Sequence, residues 1–190
     1  MYRVRGGLNM LNVDIRRPGT EDIEELHQFF RTVICDTFSK EGIGDKLKDI
    51  EQEIVTKKAY LENDLESDGE NRYFLMALDG DKIIGSIEYG PASELICQNT
   101  NHGLKDLNEV GTVFVLPDYQ GQGVGNFLLH NMYTALQGKG IEEFCLDSGY
   151  TRAQEIWKKK FGTPNYLLKN YWDEGYHHMI WRIKVNDVLI

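Results

Sequence analysis

The sequence is poor in cysteine: Cys35, Cys97 and Cys145 are its only three, widely spaced and without a C-x-x-C pair. Neither a disulfide framework nor a zinc site is indicated, and a reducing cytoplasm is the expected location. No run approaches the ~18 to 20 consecutive apolar residues of a membrane span, and the N-terminus lacks the apolar stretch of a signal peptide. No membrane partner is expected. Positive charge is also scarce, with 21 Lys and Arg against 30 Asp and Glu and a formal charge of −9. Nonspecific nucleic-acid binding needs clustered cations, so nucleic acid is disfavoured. An acidic balance is compatible with a cationic substrate such as an amine, although it also serves solubility alone. His177-His178 resembles half a metal site, but adjacent strand residues face opposite sides, so no metal is expected.

Apolar residues make up 41% and charged residues 27%, the composition of a folded globular chain. At 190 residues the length suits one domain with a substantial core. Residues 11–190 are read as that domain. Residues 1–10, containing Gly and Arg without periodicity, are read as a flexible leader, with Met10 as an alternative start.

Alternating Leu, Val and Ile predict a strand over Leu11–Arg16, broken by Pro18-Gly19. Thr20 is placed as the cap of a helix running to about Phe38, with the acidic residues Glu21 to Glu25 complementing its dipole. A second helix is expected over Asp45–Leu65, and a hairpin over Arg72–Leu78 and Lys82–Tyr89. The pattern is lost over Gly90–Leu107, a length that points to a substrate-side wall or an unrecognised element. Then follow a strand at Asn108–Leu116, a helix at Val124–Leu136, a strand at Ile141–Asp147, a helix at Thr151–Phe161 and a closing pair at Asn165–Trp172 and Tyr176–Val185. This order predicts an α/β fold, a mixed sheet flanked by helices.

Between the strand ending at Pro117-Asp118 and the helix at Val124 lies Gln120-Gly121-Gln122-Gly123-Val124-Gly125. The first amides of a helix have no internal acceptor and sit at the positive end of its dipole, so this turn suits an anion. Gly121, Gly123 and Gly125 allow left-handed backbone and close approach, and Gln120 offers a neutral side-chain donor. No Lys-Ser/Thr pair follows, which excludes a P-loop, and the G-x-G-x-x-G spacing of a dinucleotide site is absent.

Val113 to Gly125 resembles motif A of the GCN5-related N-acetyltransferase (GNAT) superfamily, Gln/Arg-x-x-Gly-x-Gly/Ala after a strand ending in Val-x-Pro, at every defined position. The resemblance implies a mostly antiparallel central sheet with helices on both faces and a splayed strand pair, with pantetheine in the gap. It implies acetyl-CoA as co-substrate, bound by the backbone of Val113, Phe114 and Val115 and by the loop Gln120, Gly121, Gln122, Gly123, Val124, Gly125 and Asn126. The implied reaction is acetyl transfer to a primary amine by direct attack in a ternary complex, the acceptor being a small molecule or peptide. A homodimer is left open.

Acetyl transfer needs a deprotonated amine and a polarised carbonyl. Glu109, eleven residues before Gln120, stands where the histone-acetylating branch carries a glutamate base, and strand alternation would place it on the face of Gly111, Val113 and Val115. The family's acid is often a tyrosine in a pattern like Ala-x-x-Leu-Tyr. Here the run is Ala153-Gln154-Glu155-Ile156-Trp157, so Trp157 occupies that place; the alternatives are Tyr150 or Tyr166 as substitute, or a coenzyme A thiolate that leaves without an assigned donor. The departure keeps a second reading open, a noncatalytic acyl-CoA-binding sensor or interaction module. Cys145 is read as core, and the aromatic set Tyr166, Tyr171, Trp172, Tyr176 and Trp181 as packing or the lining of an acceptor pocket.

Overall fold

The computed structural model describes residues 2–6 and 9–187, with side chains from Asn12 onward. In chain order the elements are β1 (Tyr2–Gly6), β2 (Asn9–Arg16), α1 (Ile23–Lys40), α2 (Leu47–Glu66), β3 (Tyr73–Asp79) and β4 (Lys82–Pro91). There follow α3 (Glu94–Asn99), β5 (Asn108–Val115), α4 (Val124–Gly138), β6 (Glu143–Ser148), α5 (Thr151–Phe161), β7 (Tyr166–Asp173) and β8 (Tyr176–Lys184). Residues 2–6, read from sequence as part of a leader, pair antiparallel with β2. Within the span read as one domain, the chain packs as two compact units. One runs to Glu88 and includes Thr112–Thr134; the other takes Tyr89–Gly111 and the described residues from Ala135.

In the first unit, strand order is β1-β2-β3-β4-β5. The helical spacing of α1 buries Leu26, Phe29, Phe30, Val33, Ile34 and Phe38. Phe30 is fully buried and meets the rings of Phe29, Phe74 and Phe114 at centroid distances of 5.8, 6.2 and 6.4 Å. Burying side chains of this size contributes about 2 to 3 kcal/mol each. The start of α1 differs from expectation. Thr20 opens a single 3₁₀ turn, and the Asp22 carboxylate accepts the Gly19 amide (2.7 Å) while held by Arg16 in two hydrogen bonds (2.7 and 2.8 Å). With that amide satisfied from within the turn, the α-helix begins three residues later. Glu25, read as a dipole partner, accepts the Ile83 amide at 2.8 Å and so ties α1 to β4.

In the second unit, order is β5-β6-β8-β7. β6–β8 and β7–β8 are antiparallel, as are β1–β2 and β2–β3, whereas β5–β6 is parallel. This is the mixed, mostly antiparallel α/β architecture expected. The register of β5 on β6 covers only Asn108 and Glu109, which gives the splayed pair. The segment 90–107 holds the unrecognised helix α3: Ser93 Oγ accepts the Ile96 amide (3.4 Å), and Ile96 and Leu104 pack with Cys145 and Ile180 in a buried cluster. Six residues are too few for a helical period to emerge from the sequence.

A buried polar network fixes the middle of the first unit. Glu88, 1% exposed, takes Arg72 Nη1 at 2.5 Å and the Thr112 hydroxyl at 3.1 Å. Ser86 Oγ donates to the Thr112 carbonyl (3.1 Å), and the Arg72 guanidinium lies 3.6 Å from the centroid of the Tyr60 ring. Thr112 has φ +50°, a left-handed conformation costly for a β-branched residue. It persists because its side chain and carbonyl are both held. Removing one partner of a buried ion pair leaves an uncompensated charge, at a cost of about 3 to 5 kcal/mol. Glu88→Ala should therefore lower the urea midpoint of unfolding strongly with little change in slope, whereas a shift no larger than that of a surface substitution would contradict this role.

Candidate functional site

The glycine loop lies in the first unit. The Leu116 amide donates to Ile84 O (2.9 Å), Pro117–Tyr119 form one 3₁₀ turn, and the Tyr119 hydroxyl donates to Asp79 Oδ2 (3.2 Å). These anchors hold the entry to the loop. Gly121 (φ +73°) and Gly123 (φ +88°) are left-handed, as their residue type permits. Gly125 is not: the bond from Phe127 N to Gly123 O (3.0 Å) closes the first turn of α4, so Gly125 is already helical. A Cβ there would meet Val115 Cγ2 at an ordinary 3.8 Å. The amides of Gly123, Val124 and Gly125 precede that first helical bond, the arrangement that favours an anion.

Gln120 departs from its expected use. Its Nε2 donates to Val115 O (3.1 Å), and its Oε1 accepts from Lys40 Nζ (3.1 Å), which also pairs with Asp36 Oδ2 at 2.6 Å. The carboxamide thus braces the loop against β5 and the end of α1. Lys40, which sequence reasoning passed over because it lies 80 residues from Gln120, brings a cation to the loop. Gln122 likewise turns inward, donating to Asp118 O at 2.6 Å. Val124 is buried, Asn126 is exposed on the first turn of α4, and Val113, Phe114 and Val115 are half-buried. Left-handed Thr112 interrupts the alternation of β5, so the argument that Glu109 shares a face with Val113 and Val115 fails.

Glu109 lies in the second unit, opposite Cys145. Its Oε2 accepts the Ser93 amide at 2.7 Å, just before α3. Cys145 is fully buried, and its thiol is pushed far up by burial first and then by the nearby Glu109 and Asp147 carboxylates. It is a core residue, not a nucleophile. Tyr150 caps α5 from extended backbone and is half-buried; its amide donates to Ser148 Oγ (3.2 Å). Trp157 is buried and stacked on Phe161 at 5.8 Å between ring centroids, so it takes the tyrosine's place as packing. Tyr166 is half-buried beside the cluster of Ile96 and Cys145. Trp181 is core, whereas Tyr171, Trp172 and Tyr176 are exposed.

Among the described residues, no cluster of three or more His, Cys, Asp or Glu could hold a metal ion, and no helix is long and apolar enough to cross a membrane. His178 is bonded to Asp147 (3.0 Å) and Trp172 (3.1 Å), whereas His177 Nδ1 accepts the Asn170 amide (3.1 Å). Asp147 was missed by sequence reasoning; the signal was its position two residues beyond Cys145 on β6, on the same face.

Several solved structures share this fold. PaiA N-acetyltransferase from Thermoplasma acidophilum, in complex with coenzyme A, is 20% identical with a TM-score of 0.65, over 91% of this chain and 100% of that one. An N-acetyltransferase from Staphylococcus aureus Mu50 is 16% identical at a TM-score of 0.63, over 92% and 99%. The ribosomal-protein-S18-alanine N-acetyltransferase from Escherichia coli is 14% identical at 0.59, over 94% and 99%. No curated protein sequence matches the chain. The profile of the Acetyltransferase (GNAT) family matches residues 33–163, well over half of the sequence and with the whole glycine loop inside it. The chain belongs to the GNAT acetyltransferase family.

Proposed function

We propose that the protein transfers an acetyl group from acetyl-CoA to the primary amine of a small molecule or peptide, by direct attack within a ternary complex. The observation that carries this reading is the loop from Gln120 to Gly125. Two left-handed glycines lead into helix amides that lie ahead of the first helical bond, with Lys40 alongside. In this reading the amides of Gly121, Gln122, Gly123, Val124, Gly125 and Asn126 receive the pyrophosphate. The backbone of Val113, Phe114 and Val115 receives the pantetheine amides, with Gln120 setting the orientation of the loop through Val115 O.

Glu109 is the proposed base. Its carboxylate is held by the Ser93 amide through one oxygen, and a carboxylate accepts several donors at once. Tyr150 is the proposed acid, carried at the cap of α5 where backbone bonds to Ser148 fix its position. The alternative of a noncatalytic acyl-CoA-binding module drew on Trp157. That indole is buried against Phe161 and supplies no acid, so the transferase reading needs another donor, such as Tyr150, or a thiolate that leaves without one.

Alanine at a φ of +88° costs about 1 to 2 kcal/mol, so Gly123→Ala should raise the dissociation constant for acetyl-CoA about tenfold or more, read by calorimetric titration. Glu109→Gln should lower kcat by about a hundredfold while leaving that constant unchanged. If Glu109→Gln turns over normally across pH, another group is the base. For the reading as a whole, binding of acetyl-CoA without thiol release on any amine of a broad panel would support the sensor instead.

A further inference from the structure

His178 in β8 is only 4% exposed, yet both its ring nitrogens are engaged. Trp172 Nε1 donates to Nδ1 at 3.1 Å, and Nε2 lies 3.0 Å from Asp147 Oδ2. An indole N–H can only donate, so Nδ1 must accept, and the imidazole proton sits on Nε2 and is given to Asp147. An imidazolium could not accept from Trp172. The imidazole thus accepts from the indole on one side and donates to the Asp147 carboxylate on the other.

The surroundings are shaped to keep this chain intact. A Cβ on Gly149 would lie 2.5 Å from Trp172 Nε1 and 3.2 Å from His178 Nδ1, so only glycine lets the indole reach the imidazole. Asn170 has φ +53° where the β7–β8 register lapses between Leu168 and Asp173. That irregularity suspends strand alternation, which is how the neighbours Tyr171 and Trp172 both come to touch His178, at centroid distances of 5.6 and 5.7 Å. Tyr171 stands edge-on to Trp172 (4.9 Å), and its hydroxyl accepts from Asn99 of α3 at 3.4 Å.

The result is an exposed aromatic pair, Trp172 at 54% and Tyr171 at 40%, one imidazole away from a carboxylate whose side chain is 22% exposed. The indole's only polar group is spent on His178, so what it exposes is the aromatic ring, and such a ring attracts cations over its face. The carboxylate has one oxygen engaged by His178 and is pre-oriented. An alkylammonium satisfies both, its charge at Asp147 and its methylenes on the rings, and the net charge of −9 favours its approach.

We propose that Asp147, with Trp172 and Tyr171, is the receptor for the acceptor's ammonium group, and that the acceptor is therefore an aliphatic amine, cationic at neutral pH. The assignment rests on the transferase reading above. Asp147 and the rings of Trp172 and Tyr171 touch the acceptor; His178 is the positioning residue between the indole and the carboxylate.

The test uses hexane-1,6-diamine as cationic acceptor and aniline as neutral acceptor, with acetyl-CoA and thiol release as readout. Asp147→Asn should raise KM for the diamine about tenfold, the worth of one hydrogen bond to a charged group, with kcat, acetyl-CoA affinity and KM for aniline little changed. Trp172→Phe, which keeps a ring but removes the donor to His178, should raise the same KM severalfold. An unchanged diamine KM in Asp147→Asn overturns the proposal while leaving acetyl transfer standing. If the wild type releases no thiol, the transferase reading fails and the receptor is tested by fluorescence, since Trp172 is the exposed indole beside buried Trp157 and Trp181. The diamine should then quench that emission in the wild type and not in Asp147→Asn; no quenching in the wild type overturns the proposal.

Discussion

The ion pair of Arg72 and Glu88 is the constraint on which the proposed donor side depends. Glu88 is nearly inaccessible, and a lone charge buried in that position would be strongly destabilising. Arg72 neutralises it, and Glu88 in turn holds the hydroxyl of Thr112. The left-handed turn of Thr112 sits in β5 just ahead of Val113, Phe114 and Val115, the residues whose backbone the proposed function assigns to pantetheine. A strained residue inside a strand is stable only where its neighbours over-determine it. Here a buried salt bridge, a second hydroxyl from Ser86 and the ring of Tyr60 do so.

The glycine loop uses the same logic with weaker interactions. Gln120 is not presented outward; it clamps Val115 O and is itself clamped by Lys40. Tyr119 and Leu116 are tied to β3 and β4. A loop held this way loses little further freedom when an anion arrives, which is the thermodynamic value of preorganisation. Lys40 adds favourable charge, moderated by its pairing with Asp36.

Much of this was legible in the sequence, for identifiable reasons. The strand, proline stop, glycine turn and apolar helix from Val113 to Leu136 are contiguous, so their order and spacing carry the family resemblance directly. The buried face of α1 followed from its period, and α5 was placed from Thr151 to Phe161 as found. What escaped depends on pairs far apart in the chain. Arg72 with Glu88, Lys40 with Gln120 and Asp147 with His178 are each brought together by strand pairing or helix packing, and no local pattern announces them. The left-handed backbone at Thr112 was hidden because a β-branched residue rarely adopts it; Asn170 is of a type that does, but it lay inside a run that read as a strand. Thr112 also broke the alternation on which the face assignment of Glu109 relied. Trp157 was legible as a departure from the family pattern, but its stacking on Phe161 was not.

The central claim is that the amides from Gly121 to Gly125 receive the phosphates of acetyl-CoA. The most direct measurement is the amide spectrum of the ¹⁵N-labelled protein, recorded without and with saturating acetyl-CoA. The account expects the largest shifts at Gly121, Gln122, Gly123, Val124 and Gly125, with smaller ones at Val113 to Val115. Saturable binding that leaves those loop amides unmoved would contradict it.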